Sequence, residues 1–139
     1  MIAYAFWHWP APGAAGYERR LGEFLAALEA EKPAGFLGAS SFRTGSAPWL
    51  PGPAFLDWYR IGGFADLQAL NEGAVTASRK APHDALAALA AGGAGGIYRH
   101  KSGPDDVCPF KFAHWFGKPA GMRYDELFAL LRDVPGSLW

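Results

Sequence analysis

Apolar and polar positions alternate with period two at the start of the chain and then switch to a spacing of three and four, predicting a strand followed by a helix. Ile2 to Trp9 read as the strand, with Ile2, Tyr4, Phe6 and His8 on one face and Ala3, Ala5, Trp7 and Trp9 on the other. Pro10-Ala11-Pro12-Gly13 stops it. Tyr17, Leu21, Phe24, Leu25 and Leu28 then form a helical stripe, flanked by charges and ended by Lys32-Pro33. Phe36 to Thr44 predicts a second strand, Gly45 to Pro53 a loop, and Ala54 to Ile61 a third strand. Gly62-Gly63 breaks the chain. Phe64, Leu67 and Leu70 begin a second helix, Thr76 to Pro82 interrupts it, and Asp84 to Ala91 continues it with Leu86 and Leu89 inward. Gly92 to Gly96 reads as a glycine-rich hinge, and Ile97 to Lys101 as a fourth strand.

The order βαββαβ is the ferredoxin-like split motif, an α+β fold with a four-stranded antiparallel sheet and its helices on one face. A partial second copy follows. Sliding the chain by 106 residues sets Phe6 on Phe112, His8 on His114, Trp9 on Trp115, Leu21 on Leu127 and Leu25 on Leu131. The expected organisation is a domain over 1–101, a linker over 102–108, and a C-terminal βα half-repeat over 109–139. In that half-repeat Pro109 to Phe116 would be a strand and Arg123 to Val134 a helix. Ser137 to Trp139 could only begin a further strand.

Helices cover one face of such a sheet. The small Ala3 and Ala5, with Leu37, Ala39, Leu56 and Trp58, are expected beneath them. Tyr4, Phe6 and His8 would then share the opposite face with Ser40, Phe42, Asp57 and Tyr59. That face is too apolar to be left wet, so a second sheet from another copy of the chain is expected on it.

The chain has 13 Lys and Arg against 13 Asp and Glu, which gives nothing to attract nucleic acid or an anionic membrane. The single Cys108 excludes an intramolecular disulfide and fits a reducing, cytoplasmic setting. The N-terminus lacks a signal-peptide charge pattern, and its apolar run is too short to span a bilayer. Aromatic residues make up 15% of the chain, which suits either a ring-filled core or a pocket for an apolar ligand.

The strand order, the Pro/Gly turn after strand one, FLDWYRIGGFADLQALNEG and PHDALAALA together resemble the dimeric α/β-barrel superfamily. The resemblance is to antibiotic-biosynthesis-monooxygenase-like and EthD-like proteins, and covers roughly residues 1–101. It implies a homodimer or higher homo-oligomer with sheets paired face to face. Cofactor-free oxygenases, isomerases, haem enzymes and ligand sensors all occur in the superfamily, so the fold alone does not select a reaction.

Candidate chemistry rests on scattered residues. His8 could act as a general base at a strand end, with His114 as its copy; either could equally hydrogen-bond a loop carbonyl. Asp57 among rings could remove a proton from a carbon acid or phenol, unless an arginine neutralises it. Tyr59 and Arg99 would orient substrate, and Tyr4, Phe6, Trp9 and Phe42 would wall the cleft, with His100 and His114 nearby. Arg99 could also be an edge-strand charge. His83 at a helix start reads as a solvated terminus. No spacing supports a metal site. No cofactor is expected; a haem would need His8, His100 or His114 as its axial ligand. Two functions remain: a small-molecule-binding protein or cofactor-free oxygenase- or isomerase-like enzyme with an apolar or aromatic ligand, and a non-catalytic binding or oligomerisation protein. A void beside His8 and Asp57 separates them, since rings packed without a gap leave no room for a ligand.

Overall fold

The computed structural model describes residues 1–45, 47–109, 111–136 and 138–139. The chain divides into two compact units, 1–98 and 99–139, with the last residue of β4, Arg99, opening the second.

The first unit is built from β1 (Ile2–Pro10), α1 (Tyr17–Ala30), β2 (Phe36–Thr44), β3 (Ala54–Ile61), α2 (Ala65–Ala74), α3 (Ala77–Ala87) and β4 (Ala90–Arg99). The sheet order is β2-β3-β1-β4, the ferredoxin-like arrangement in which β1 sits centrally between β3 and β4. β3 pairs antiparallel with β1 through Tyr4↔Tyr59, Phe6↔Asp57 and His8↔Phe55. It pairs antiparallel with β2 through Ala39↔Tyr59 and Ser41↔Asp57.

The helices cover the face opposite to the one expected. Ile2, Tyr59 and Ile61 pack with Tyr17, Leu21, Phe24 and Leu28 of α1, Leu70 of α2 and Leu86 of α3, while Tyr4 and Phe6 lie against this cluster. The ring-bearing face is therefore roofed by helices rather than by a second sheet. Ala3, Ala5, Trp7, Leu56 and Trp58 line the other face and are buried. There the Trp49 ring meets Trp7 edge-on at 5.9 Å, and Tyr98 stacks on Trp58 at 5.6 Å.

A bulge shifts the phase of β2. Phe36 pairs with Ile61, but Gly38 pairs with Arg60, leaving Leu37 extra and half exposed. Ala39 and Ser41 thus share the helical side, whereas Ser40 and Phe42 pair with Trp58 and Leu56 on the other. Glycine suits position 38: its φ is 151°, and a Cβ there would come within 3.0 Å of the Arg60 guanidinium.

β4 begins at Ala90, so the expected glycine hinge is strand. Its glycines make room for β1 rings. A Cβ on Gly93 would overlap Phe6, and one on Gly95 would sit 2.6 Å from Tyr4 Cε2. Rings laid over glycines on a neighbouring strand replace the side chains that the glycines lack.

The interruption in the second helical segment falls at Thr76 as expected but is shorter, because α3 resumes at Ala77. Extended Thr76 (φ −126°, ψ 163°) and left-handed Ala77 (φ 51°) separate α2 from α3, while Pro82 lies inside α3.

In the second unit the only helix among the described residues is α4 (Tyr124–Leu131), shorter than expected. Glu126 accepts the Arg123 backbone N–H at 3.0 Å and so caps its start. Among the described residues of the expected second copy no strand forms. Residues 111–119 have no regular structure, Phe112 and Phe116 are exposed, and Phe110 lies outside the described residues. Of the proposed final strand, Leu138 makes an isolated antiparallel bridge with Ser102, and Ser137 lies outside the described residues. Sequence similarity therefore continues into α4, while the run before it has no regular structure among the described residues.

Candidate functional site

A cavity of about 300 Å³ lies between the sheet and the helices of the first unit. Tyr4, Phe6, His8, Asp57 and Tyr59 form its sheet side. Tyr17, Phe24 and Leu28 of α1, Leu70, Asn71 and Ala74 of α2, and His83, Leu86 and Ala87 of α3 form the helical side. Asn71 and Ala87 are exposed and His83 is partly so, which marks the mouth. Leu70, Phe24 and Leu28 make the middle apolar. The deep end holds the polar groups: His8 is 4% exposed and Asp57 1%.

The strand period puts those groups together. Asp57 stands opposite Phe6, so His8, two residues on, is its diagonal neighbour on the same face. His8 Nε2 lies 3.1 Å from Asp57 Oδ2, a close approach out of line for a hydrogen bond. Tyr59 donates to the same oxygen at 2.6 Å, a short bond as expected for a charged acceptor. The Tyr17 hydroxyl is 2.5 Å from His8 Nδ1. Burial and the Asp57 charge push the Tyr17 phenol up to about 12, so it is protonated at neutral pH and able to donate to the imidazole. Burial, the Asp57 charge and its hydrogen bond push Tyr59 well above the usual phenol range. Burial also raises Tyr4. In the tautomer whose Nδ1 accepts from Tyr17, the ring proton sits on Nε2, on the side of the carboxylate. Phe6 and Phe55 stack on the imidazole at 5.6 and 5.8 Å and fix its plane.

Two buried atoms of this site are left over: neither His8 Nε2 nor Asp57 Oδ1 has a hydrogen-bond partner among the described residues. A buried carboxylate oxygen without a donor is costly unless something supplies one.

Of the ten residues expected at the site, His8, Asp57, Tyr59, Tyr4 and Phe6 line this cavity. Trp9 and Phe42 do not. Trp9 shares a strand face with Trp7 and lies over Gly92, and Phe42 pairs with Leu56 beyond the bulge. Arg99, His100 and His114 belong to the second unit. There the His100 ring lies 4.8 Å from Trp139, and His114 is exposed on a stretch without regular structure. Tyr17 was read only as part of the helical stripe. The turn after β1 brings the first residue of α1 back over the end of β1, and no apolar periodicity distinguishes a phenol there from a plain core ring.

The donor set does not suit a haem iron at His8, because Tyr17 holds one nitrogen and Asp57 faces the other. Among the described residues no three His, Cys, Asp or Glu converge as metal ligands. No helix there is long and apolar enough to cross a membrane.

No protein-family model and no curated protein matches the sequence. Solved structures do match in fold. SnoaB from Streptomyces nogalater, described as a cofactor-independent oxygenase, superposes with a TM-score of 0.52 at 13% identity, covering 76% of this chain and 97% of that one. A candidate antibiotic biosynthesis monooxygenase from Nitrosomonas europaea gives 0.51 at 13% identity, over 71% and 97%. At3g17210 from Arabidopsis thaliana gives 0.53 at 9% identity, over 75% and 99%. At these identities the likeness is one of fold, and it agrees with the ferredoxin-like α+β architecture described above.

Proposed function

We propose that the first unit binds an apolar, ring-bearing small molecule in this cavity, and that the His8–Asp57 pair accepts a proton from it without a cofactor. The carrying observation is the void itself. It lies beside a buried carboxylate and imidazole whose remaining neighbours are rings, where solid packing would have left no space. Excluding water leaves a bound carbon acid facing a positioned acceptor with no competing solvent. Tyr59 and Tyr17 stay protonated and hold the pair in place. Proton removal is the first step of two cofactor-free reactions. In one, the electron-rich anion reduces dioxygen; in the other, the proton returns at a different atom and an isomer results. The description of SnoaB favours the first. The unit is expected to act as a homodimer, as the resemblance to dimeric α/β-barrels implies.

The test is proton abstraction from 5-nitrobenzisoxazole, a small aromatic carbon acid. A base removes its ring C–H proton, the N–O bond breaks, and a coloured cyanophenolate is released. The wild-type protein is expected to accelerate this release. Asp57→Asn is expected to lose roughly 10²-fold or more of that acceleration, the contribution of one positioned base. Equal rates for wild type and Asp57→Asn, with both folded by circular dichroism, would refute the proposal.

A further inference from the structure

The donors and acceptors at the deep end of the cavity leave two atoms without a partner among the described residues, His8 Nε2 and Asp57 Oδ1, so a group that both donates and accepts fits best. The Tyr17 hydroxyl is committed to His8 Nδ1, and the Tyr59 hydroxyl to Asp57 Oδ2. Asp57 Oδ1 remains a buried acceptor with no partner among the described residues. No lysine or arginine is among the residues that line the cavity. A ligand that carried a carboxylate to this end would bring a second anion beside Asp57 with no cation between them, and like charges in a water-poor site repel strongly. A ligand with an O–H or N–H would instead satisfy the vacant oxygen.

We infer that this site selects neutral ring compounds carrying a hydrogen-bond donor, such as phenols, enols or amides, and rejects aromatic carboxylates. The inference deepens the reading of the cavity given above and rests on it for the location of the ligand, but not for any reaction. A site built around an unpaired polar group discriminates sharply, because a ligand lacking the complementary group leaves that group buried and unsatisfied. The rings of the ligand would lie along Phe24, Leu28 and Leu70, and its donor would reach Asp57.

Three probes of one ring system test this by isothermal titration calorimetry: 2-naphthol, 2-naphthamide and 2-naphthoate. The amide and the carboxylate have nearly the same shape and differ in charge and in N–H donors. Both neutral probes are expected to bind at least tenfold more tightly than 2-naphthoate at neutral pH. In Asp57→Asn the advantage of 2-naphthamide over 2-naphthoate is expected to shrink by at least fivefold. Tyr59→Phe removes a neighbouring hydroxyl but leaves the carboxylate, and is expected to keep the preference. Binding of 2-naphthoate as tight as that of 2-naphthamide, an unchanged preference in Asp57→Asn, or no binding of the neutral probes would each overturn the inference. Because the readout is binding alone, a protein that selects the neutral probes but fails to accelerate 5-nitrobenzisoxazole cleavage would sink the catalytic reading and leave this one standing.

Discussion

Replacing Gly93 by alanine adds one methyl group at a place where β1 already fills the space. The new Cβ would overlap Phe6 Cζ, lie 2.9 Å from Phe6 Cε2 and 3.0 Å from the Trp7 carbonyl oxygen. Gly93 does not have a left-handed φ, so the effect is steric rather than conformational. The Phe6 ring cannot swing freely, because Tyr4 stacks on it at 5.8 Å and His8 at 5.6 Å. Overpacking of this kind destabilises by about 1–3 kcal/mol. Alanine in a strand is otherwise favoured over glycine by about 0.5–1 kcal/mol, so any net loss understates the clash. A double-mutant cycle isolates the clash. In a Phe6→Ala background the ring is gone and only the Trp7 carbonyl approach remains, so Gly93→Ala is expected to become near neutral. The coupling energy should be about 1–2 kcal/mol. Urea unfolding of the four proteins, followed by circular dichroism, measures it. Gly52→Ala serves as control, since nothing lies within 4 Å of its added Cβ; it should shift stability by less than about 0.5 kcal/mol. If Gly93→Ala destabilises equally with and without the Phe6 ring, the fit of rings over glycines is not what shapes β4.

Two further predictions concern the site and its roof. Tyr17 has its phenol raised above the ordinary value, to about 12, so its contribution to stability is present below pH 10 and declines as pH rises from 10 toward 12, where the unfolded chain has already lost its proton. The Tyr17→Phe variant should show a shallower alkaline loss of stability in urea titrations at stepped pH, and an identical slope would contradict burial of the phenol beside the Asp57 charge. Ala77 has a left-handed φ of 51° between α2 and α3, so Ala77→Gly is expected to leave stability unchanged or to raise the melting temperature by a few degrees; a clear decrease would count against strain at that junction.

The first three strands and the first helix were legible because each element carries one clean period. Tyr17, Leu21, Phe24 and Leu28 are buried as their stripe predicts, and β2 and β3 keep the expected limits. The face beneath the helices was not legible. Small alanines invite a helix to approach, yet here they lie on the other side, and the large rings and Ile2 supply the contact. The bulge at Leu37 hid the same fact on β2 by breaking its alternation. β4 escaped because glycines carry no hydrophobic pattern; its packing partners are written in β1. His8, Asp57 and Tyr59 were visible as residues on one strand face, since period two alone brings them together. Tyr17 was not, because its hydroxyl matters through a contact nine residues away that no local rule encodes. The repeat misled for a related reason: like sequence yields a strand only where a neighbouring strand accepts its hydrogen bonds.

His8 and Asp57 occupy the two central strands, and each is the partner of a buried phenol, Tyr17 and Tyr59. Replacing every partner of a buried hydrogen-bonded cluster with apolar groups of the same shape is often neutral or stabilising. The fold therefore has a sturdier relative a few substitutions away, with Leu or Phe at positions 8 and 57, Phe at 17 and 59, and no base in the cavity. A lineage drifting under selection for stability alone would move toward that relative. Retention of the pair would then be a record of selection for something other than folding.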